Sequence, residues 1–289
     1  MKLNGKIAAV TGAGSGIGRA VALRLAEEGC SLAISDINET ALEETRLAVV
    51  ERKARVTAQR LDVADRDAVE AWAARIVQDH GSVDVIINNA GVALGATVEG
   101  MDYADFEWLM NINFWGVVYG TKAFLPLLKQ QEEACIVNVS SVFGFIGIPT
   151  QSAYNAAKFA VKGFTEALQQ ELWLENSPVR AICVHPGGIR TNIVHNSRMG
   201  ELDKMARPKD KAAAEFDKIA RTSPAEAAAV IVRGIKRDQP RVLIGADAHF
   251  IDWTHRIWPN LHKKVVSFLS KKSRSDDPGK KDKDTVVPV

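Results

Sequence analysis

The chain of 289 residues is poor in cysteine and has no long apolar run. Its three cysteines (Cys30, Cys135 and Cys183) are odd in number, scattered and without the close spacing of metal ligands. Because two of them lie in short apolar runs, we expect buried free thiols in a reducing, cytoplasmic setting and no bound metal. No run approaches the ~20 apolar residues that cross a bilayer, and we expect no signal peptide because the first residues lack its charged-then-apolar pattern.

An excess of either charge is also missing. The sequence has 37 basic and 35 acidic side chains, which gives a formal net charge of +2. Such a balance provides no electrostatic reason to expect a nucleic-acid partner. With 46% hydrophobic and 25% charged residues, the composition is that of an ordinary globular protein, long enough for one large domain or two small ones.

Short apolar runs alternate with helical patterns at least six times along the chain. The series begins with the run Lys6–Val10, the helical pattern Ala20–Glu28 and the run Ser31–Ser35. Apolar residues recur at helical spacing again from Phe106 to Leu128. Strands that alternate with helices form a parallel sheet covered by helices on both faces. The pattern therefore predicts an α/β protein with a single Rossmann-type, doubly wound parallel sheet in a domain of residues 1–247.

A glycine-rich segment follows the first predicted strand and precedes the first predicted helix. It contains Gly12, Ser15, Gly16, Ile17 and Gly18, with the spacing Gly-xxx-Gly-x-Gly rather than GxGxxG. Glycines let a backbone come close to a pyrophosphate, and a helix N-terminus offers free N–H groups and a positive dipole to it. A plain glycine turn could give the same residues, but the flanking strand and helix favour a dinucleotide site.

Asp36 ends the second predicted strand, about 20 residues past the glycines. A carboxylate there accepts hydrogen bonds from the adenosine ribose hydroxyls and would repel a 2′-phosphate. We therefore expect NAD as the cofactor, with NADP as the alternative. Arg19 favours that alternative because its guanidinium could bind a phosphate, although a solvated helix surface is the commoner place for it. Asp36 itself could instead cap a helix.

Further candidates for cofactor binding follow other predicted strands, at the edge where open parallel sheets bind ligands. Asp62 and Val63 follow the third strand, where an adenine could lie. The run Asn89-Ala90-Gly91 follows the fourth, and its small residues would let a cofactor approach, although amides after a strand are also common turn formers. The loop after Val179–Val184 supplies four more candidates: Pro186, Gly187, Ile189 and Thr191.

The segment from Ser141 to Lys158 contains the candidate catalytic residues. Tyr154 and Lys158 are four apart, so on a helix they share one face. The lysine ammonium is expected to lower the pKa of the phenol from ~10, which would let it act as a general base for an alcohol or a general acid for a carbonyl. Ser141 is positioned to hydrogen-bond the same substrate oxygen. A tyrosine and a lysine at this spacing also occur by chance on ordinary helix surfaces.

Two regions lie outside the alternating pattern. Residues 192–223 are polar, charged and poor in strand signal, which predicts a lid over the substrate. For the second half of this stretch, a solvated pair of surface helices is the alternative. Residues 248–272 mix aromatic, aliphatic and basic side chains, and after Pro259 they predict an amphipathic helix. That helix could lie on a membrane surface, on a partner subunit or on the domain itself. Residues 273–289 have almost no apolar side chain before Val286, so we expect a disordered tail.

Together these residues resemble the motifs of the short-chain dehydrogenase/reductase family, in order and spacing, from about Lys6 to Gly245. The matching motifs are Thr11-Gly12-xxx-Gly16-Ile17-Gly18, Asp62, Asn88-Asn89-Ala90-Gly91, Asn113-xx-Gly116, Ser141, Tyr154-xxx-Lys158 and Pro186-Gly187-xxx-Thr191. The extension from about His249 lies outside them and inherits no function from them.

The resemblance implies a catalytic tetrad of Asn113, Ser141, Tyr154 and Lys158, in which Asn113 holds a water of a proton relay. It also implies that Lys158 binds the nicotinamide ribose and that Thr191 binds the nicotinamide carboxamide. Homodimers or homotetramers are implied as well, with the helices Phe106–Leu128 and Tyr154–Glu175 as the contact faces.

The resulting prediction is an NAD-dependent oxidoreductase that interconverts a secondary alcohol with a ketone or aldehyde by hydride transfer. A hydrophobic small-molecule substrate is expected because the side chains near the motifs are mostly apolar, namely Val92, Leu94, Phe143, Phe145, Ile146, Ile148, Ile193 and Val194. The alternative is a non-catalytic dinucleotide-binding sensor or scaffold. The complete set of four candidate catalytic residues weighs against it.

Overall fold

A computed structural model describes residues 1–200 and 209–260 of the chain. The strands within these residues are Ile7–Thr11 (β1), Ser31–Asp36 (β2), Val56–Arg60 (β3), Val85–Asn88 (β4), Leu94–Gly95 (β5), Ala134–Val139 (β6), Val179–Pro186 (β7), Arg198–Met199 (β8) and Arg241–Ile244 (β9). The α-helices are Gly16–Glu27 (α1), Glu39–Glu51 (α2), Arg66–His80 (α3), Tyr103–Met110 (α4), Gly116–Leu128 (α5), Ser152–Leu174 (α6), Lys209–Ile219 (α7), Pro224–Lys236 (α8) and Ala246–Ile257 (α9).

In the described part of the chain, seven strands form one parallel sheet in the order β3-β2-β1-β4-β6-β7-β9. β1 pairs with β2 on one side and with β4 on the other. The connection after β1 therefore runs to one side of this strand, whereas β4 and the later strands of the sheet lie on its other side. As a result, the loops after β1 and β4 diverge at the carboxyl edge of the sheet. A crevice opens at such a point in doubly wound sheets. The predicted α/β fold with its Rossmann-type sheet is confirmed.

Helices cover both faces of the sheet because its central strands are apolar on both faces. Every residue of β4 and β6 is buried. Successive side chains of a strand point to opposite faces. Val85 and Ile87 accordingly join the core beneath α1, α2 and α8, whereas Ile86 joins the core beneath α3, α5 and α6. A strand buried in this way on both sides is typical of a parallel sheet.

The long helix predicted for Phe106–Leu128 is interrupted. α4 ends at Met110, a π-helical turn spans Asn111–Trp115, and α5 continues from Gly116. A π turn inserts one residue without ending the helix, and such turns are frequent at functional sites. The first helix also starts earlier than predicted, at Gly16 rather than Ala20, because the glycine-rich segment leads directly into it.

The C-terminal helix α9 begins earlier than the predicted extension and ends before Pro259 rather than starting after it. It packs on the domain itself, since Ala248 is fully buried and Asp252 forms an ion pair with Arg241 of β9. Apart from Pro259 and Asn260, the amphipathic helix predicted after α9 lies outside the described residues. The predicted tail 273–289 and residues 201–208 of the predicted lid also lie outside them.

None of the helices in residues 1–200 and 209–260 has both the length and the apolar character that a bilayer span requires. The same residues contain no group of three or more histidine, cysteine, aspartate or glutamate side chains arranged to hold a metal ion.

Candidate active site

The glycine-rich segment folds tightly against the end of β4. Gly12 has a φ of +65°, and a Cβ atom there would lie 2.8 Å from the Cα of Ala90. A Cβ on Gly18 would lie 2.1 Å from the carbonyl oxygen of Gly12. Gly12 therefore lets the loop approach the Ala90–Gly91 segment, while Gly18 lets α1 pack against the loop.

Asp36 lies beside this loop at the end of β2. Its Oδ2 accepts the Gly14 N–H at 2.8 Å, and its Oδ1 accepts the Asn38 N–H at 2.9 Å. Asn38 provides the side-chain cap of α2, which removes capping as the main role of Asp36. Arg19 is engaged elsewhere, because its guanidinium donates to Glu44 at 2.8 Å and to the Ala41 carbonyl at 2.9 Å.

Asn89 ties the end of β4 to the glycine-rich segment. Its Nδ2 donates to the carbonyl oxygens of Thr11 and Gly12, at 3.0 and 3.2 Å. In return, the Thr11 hydroxyl accepts the N–H groups of Asn89 and Ala90. The sequence also allowed Asn89 to be a plain turn former. In the structure its amide ties the end of β4 to the end of β1 at the base of the crevice.

Ser141, Tyr154 and Lys158 come together at the end of β6. The Ser141 side chain lies close enough to the Tyr154 phenol to act on its pKa. The Lys158 Nζ lies 5.6 Å from the centroid of the Tyr154 ring and donates to the Val139 carbonyl at 2.9 Å. Tyr154 and Lys158 therefore share one face of α6, as their spacing predicts.

Burial changes the proton affinity of both groups. It raises the pKa of Tyr154 to about 12, although the Ser141 side chain acts in the opposite direction. Burial also lowers the pKa of Lys158 to about 8. The expected lowering of the Tyr154 pKa is therefore wrong, because desolvation of the phenolate outweighs the favourable contacts around it.

Asn113 lies in the π-helical turn and is fully buried. Its side chain pairs with the backbone of Val92, accepting the N–H and donating to the carbonyl, each at 2.8 Å. A Cβ on Gly91 would lie 3.3 Å from Asn113 Oδ1 and 3.7 Å from Lys158 Nζ. The side chain therefore fixes the Gly91–Val92 backbone next to Lys158, and the proton relay implied for Asn113 stays a prediction.

A single cleft of about 1310 Å³ connects these groups. It is lined by Ser141, Tyr154, Lys158 and every other residue predicted to bind the cofactor except Gly18. Pro186, Gly187, Ile189 and Thr191 form the wall opposite the glycine-rich segment, where a Cβ on Gly16 would lie 3.2 Å from the Thr191 Cγ2. Among the predicted site residues, Gly18 and Asn113 act behind the surface of the cleft.

The end of the cleft next to Tyr154 is mainly apolar. Six of the residues predicted to line a pocket do so here, namely Val92, Leu94, Phe143, Ile148, Ile193 and Val194. Phe145 and Ile146 do not, because both are buried beneath the site. Sequence reasoning missed Trp108, Met199 and Ile251, which also line the cleft.

A two-stranded ladder holds the start of the predicted lid over this apolar end. β5 pairs with β8 in parallel, with Leu94 opposite Arg198. The Arg198 guanidinium lies 3.7 Å from the centroid of the Trp108 ring and donates to Asp105 at 3.1 Å. No local pattern in residues 192–200 indicated this pairing, since it depends on a strand 100 residues earlier.

His185 is a buried residue behind the site that sequence reasoning also missed. Its Nδ1 lies 3.2 Å from the Ser141 carbonyl oxygen, and its ring packs on Phe145 with centroids 4.3 Å apart. Burial lowers the pKa of His185 to about 4, so the ring is neutral near pH 7 and its Nδ1–H donates to the Ser141 carbonyl. The imidazole thereby supports the backbone that carries the candidate catalytic serine.

Residues 6–202 match the model of the short chain dehydrogenases. The chain is 44% identical over 264 residues to SadH, a putative oxidoreductase of Mycobacterium tuberculosis, covering 91% of this chain and 94% of that one. It is 37% identical over 214 residues to levodione reductase of Leifsonia aquatica, covering 73% and 78% of the two chains. The chain therefore belongs to the short-chain dehydrogenase/reductase family.

Solved structures of the same family have the same fold. A short-chain dehydrogenase/reductase from Burkholderia phymatum in complex with NAD matches with a TM-score of 0.81 and 29% identity, over 91% of this chain and 96% of that one. A short-chain dehydrogenase from Mycobacterium paratuberculosis bound to NAD matches with a TM-score of 0.71 and 26% identity, over 84% and 97%.

The buried imidazole of His185 predicts a specific loss of stability in acid. Because the unfolded chain binds the proton near pH 6.5 and the folded chain only near pH 4, the free energy of unfolding falls as the pH decreases between these values, by about 3 kcal/mol from this group. His185→Gln keeps a donor for the Ser141 carbonyl. In this variant, the free energy of unfolding measured with urea should decrease correspondingly less from pH 7 to pH 4. The exposed His249 provides the matched control, His249→Gln. Equal pH dependence in the wild type and His185→Gln would contradict the prediction.

Proposed function

We propose that the protein is an NAD-dependent oxidoreductase that interconverts a secondary alcohol with a ketone or aldehyde. The observation that carries the proposal is the shared cleft, in which Ser141 and Tyr154 face the same space as the glycine-rich segment and Asp36. A plain nucleotide-binding crevice would lack the Ser141 and Tyr154 side chains. A tyrosine and a lysine on an exposed helix face would not share a cleft with a glycine-rich segment. Two family members bound to NAD and a relative named a reductase support the reaction class.

The residues of the cleft fit a dinucleotide. Gly12 and Gly14 let the glycine-rich segment lie against Ala90 and Asp36, where a Cβ would clash. The N-terminus of α1, with Ser15 as its N-cap, faces the cleft. Asp36 would accept the hydroxyls of the adenosine ribose, and Thr191 and Lys158 would hold the nicotinamide end. Bound NAD supplies the hydride acceptor, and in its reduced form the hydride donor, for the reaction.

Tyr154 exchanges the proton at the substrate oxygen. A phenol with a pKa of about 12 is neutral near pH 7, so it is ready to donate its proton to a carbonyl oxygen that gains negative charge. The Ser141 hydroxyl hydrogen-bonds the same oxygen and orients it. Lys158 lies beneath the phenol ring, where its ammonium favours the phenolate that remains after transfer, and Asn113 holds the backbone next to Lys158.

Replacement of Tyr154 by phenylalanine tests this mechanism. Tyr154→Phe removes the proton donor and keeps the ring, so kcat should fall by about 10²- to 10⁴-fold while NADH binding persists. Turnover is followed by NADH absorbance and binding by NADH fluorescence. Tyr103→Phe, the same change at an exposed position on α4, is the control.

Two results would count against the catalytic reading. Near-normal turnover in Tyr154→Phe would remove Tyr154 from the mechanism. Tight NADH binding by the wild type without turnover on a broad panel of alcohols and ketones would favour the non-catalytic sensor or scaffold instead.

The choice between NAD and NADP is attributed to Asp36. Its carboxylate would repel a 2′-phosphate, and Arg19, the nearest candidate partner for that phosphate, is paired with Glu44. The wild type should therefore bind NADH more tightly than NADPH. Asp36→Asn keeps an acceptor but removes the charge. The ratio of the NADPH dissociation constant to the NADH dissociation constant should therefore fall by roughly tenfold. Asp62→Asn, another carboxylate in the cleft, should leave the ratio unchanged; a wild type that prefers NADPH would refute the assignment.

A hydrophobic substrate is proposed from the apolar end of the cleft. Leu94, Trp108 and Phe143 form this end beside Tyr154, with Ile148 and Met199. Each buried methylene contributes about 0.8 kcal/mol, so two additional methylenes on an alkyl ketone should raise kcat/KM by about tenfold. Trp108→Ala should weaken this chain-length dependence, whereas Tyr103→Ala on the same helix should not. Polyols that react faster than lipophilic ketones would contradict the proposal.

The oligomeric state and the cellular location are proposed from exposed aromatic side chains and from the buried cysteines. Trp115, Phe159 and Trp173 are exposed on the π-helical turn and α6, which supports a homodimer or homotetramer with these faces in contact. The three cysteines are buried and free, in keeping with a cytoplasmic location. Contact of a membrane surface with residues 253–272 is the less favoured possibility, because α9 packs on the domain itself.

A further inference from the structure

Helix α9 lies outside the stretch that matches the family model, yet it forms part of the cleft wall. The match ends at residue 202, whereas Asp247 and Ile251 of α9 line the same cleft as Tyr154. A helix that only covered the outer side of the sheet would not place a carboxylate in the wall of the cleft.

Asp247 is bonded to the loop that follows β7. Its Oδ2 accepts the Gly188 N–H at 2.6 Å. The preceding N–H, of Gly187, donates to the Ile244 carbonyl of β9 at 2.9 Å. Two consecutive amides of the loop are thus held by the junction of β9 and α9, one by a backbone carbonyl and the other by a carboxylate.

Two glycines make room for the carboxyl group. A Cβ on Gly187 would lie 2.2 Å from Asp247 Oδ2, and a Cβ on Gly245 would lie 2.3 Å from Asp247 Oδ1. Gly245 also has a φ of +96°, a conformation that strongly favours glycine. The carboxyl group therefore fits a socket that a larger residue at either position would close.

The helix has a second attachment that is independent of this contact. Asp252, more than one turn further along α9, forms its ion pair with Arg241, and the Arg241 guanidinium lies 4.9 Å from the Phe145 ring centroid. The Asp247 contact can therefore be removed while α9 stays attached to β9.

We propose that Asp247 is a positioning residue that orients the Gly187–Gly188 peptide, and through it the loop 186–191 that receives the nicotinamide end of the cofactor. The inference rests on the proposed function, which assigns Pro186, Gly187, Ile189 and Thr191 to cofactor binding. Without the carboxylate, the Gly188 N–H turns to solvent and the loop samples other conformations, so the bound geometry has to be selected from a wider ensemble. Asp247 acts through the loop and not on the substrate.

The test combines hydrogen exchange with nucleotide binding in the full-length protein. In Asp247→Ala, amide hydrogen exchange in peptides covering 187–191 should become faster without added nucleotide, because the acceptor of the Gly188 N–H is gone. The dissociation constant for NADH, measured by fluorescence, should rise by about tenfold, and Asp247→Asn, which keeps an oxygen acceptor, should stay within about threefold of the wild type.

Asp252→Ala is the matched control, since it makes the same truncation on the same helix without touching the loop. It should leave both loop exchange and NADH affinity as in the wild type. An effect of Asp252→Ala equal to that of Asp247→Ala would overturn the proposal, because the loop would then depend on the helix as a whole. Unchanged affinity in Asp247→Ala would also overturn it, as would weaker affinity without faster loop exchange, which would indicate direct contact with the nucleotide.

A double-mutant cycle gives an independent result. Gly187→Ala places a methyl group where the Asp247 carboxyl group lies, so its effect on NADH affinity should be smaller in the Asp247→Ala background. Additive effects would contradict the socket. If the wild type itself fails to bind NADH, the proposed function fails instead, while the effect of Asp247→Ala on loop exchange still decides whether Asp247 orients the loop.

Discussion

The site depends on the hydrogen bonds that join Thr11 to Asn89 and Ala90. The Thr11 hydroxyl accepts two backbone N–H groups from the end of β4, and the Asn89 amide donates back to the end of β1. These bonds cross the point where the chain changes direction in the sheet, so they hold together two loops that would otherwise separate. These bonds hold the glycine-rich segment after β1 next to the Ala90–Gly91 segment after β4, and both segments line the cleft.

Burial has opposite consequences for the two ionisable groups at the centre of the site. The same desolvation keeps the Tyr154 phenol protonated and weakens the hold of Lys158 on its proton. The neutral Tyr154 phenol can donate a proton. The phenolate that remains then lies near the Lys158 ammonium. Burial thus favours the proton-donating role that we propose for Tyr154.

Sequence patterns predicted the sheet and most helix positions, and all but one of the residues predicted to bind the cofactor line the cleft. Most of these residues lie where a strand ends, and the carboxyl ends of parallel strands necessarily meet. Sequence patterns failed for residues whose positions depend on distant parts of the chain. Trp108 is placed by an arginine from β8, His185 by the carbonyl of Ser141, and Asp247 by the glycines that follow β7 and β9.

The error on the Tyr154 pKa has a related physical origin. Spacing along a helix shows that an ammonium is near, but not how much water either group loses on folding. At this site the loss of solvent dominates, and it becomes apparent only in the folded structure, where Phe143 packs edge-on against the Tyr154 ring. The same limit applies to Asn113, because only the fold shows that the π-helical turn places its amide against the backbone of Val92.

That π-helical turn also sets the angular phase between the two halves of the long helix. One extra residue rotates everything before it by about 100° relative to a continuous α-helix. With the insertion, α4 directs Trp108 to the cleft while α5 directs Phe124 into the core under the sheet. A one-residue deletion that restored regular α-helix would leave the sheet contacts of α5 intact and turn Trp108 away from the apolar end of the cleft beside Tyr154.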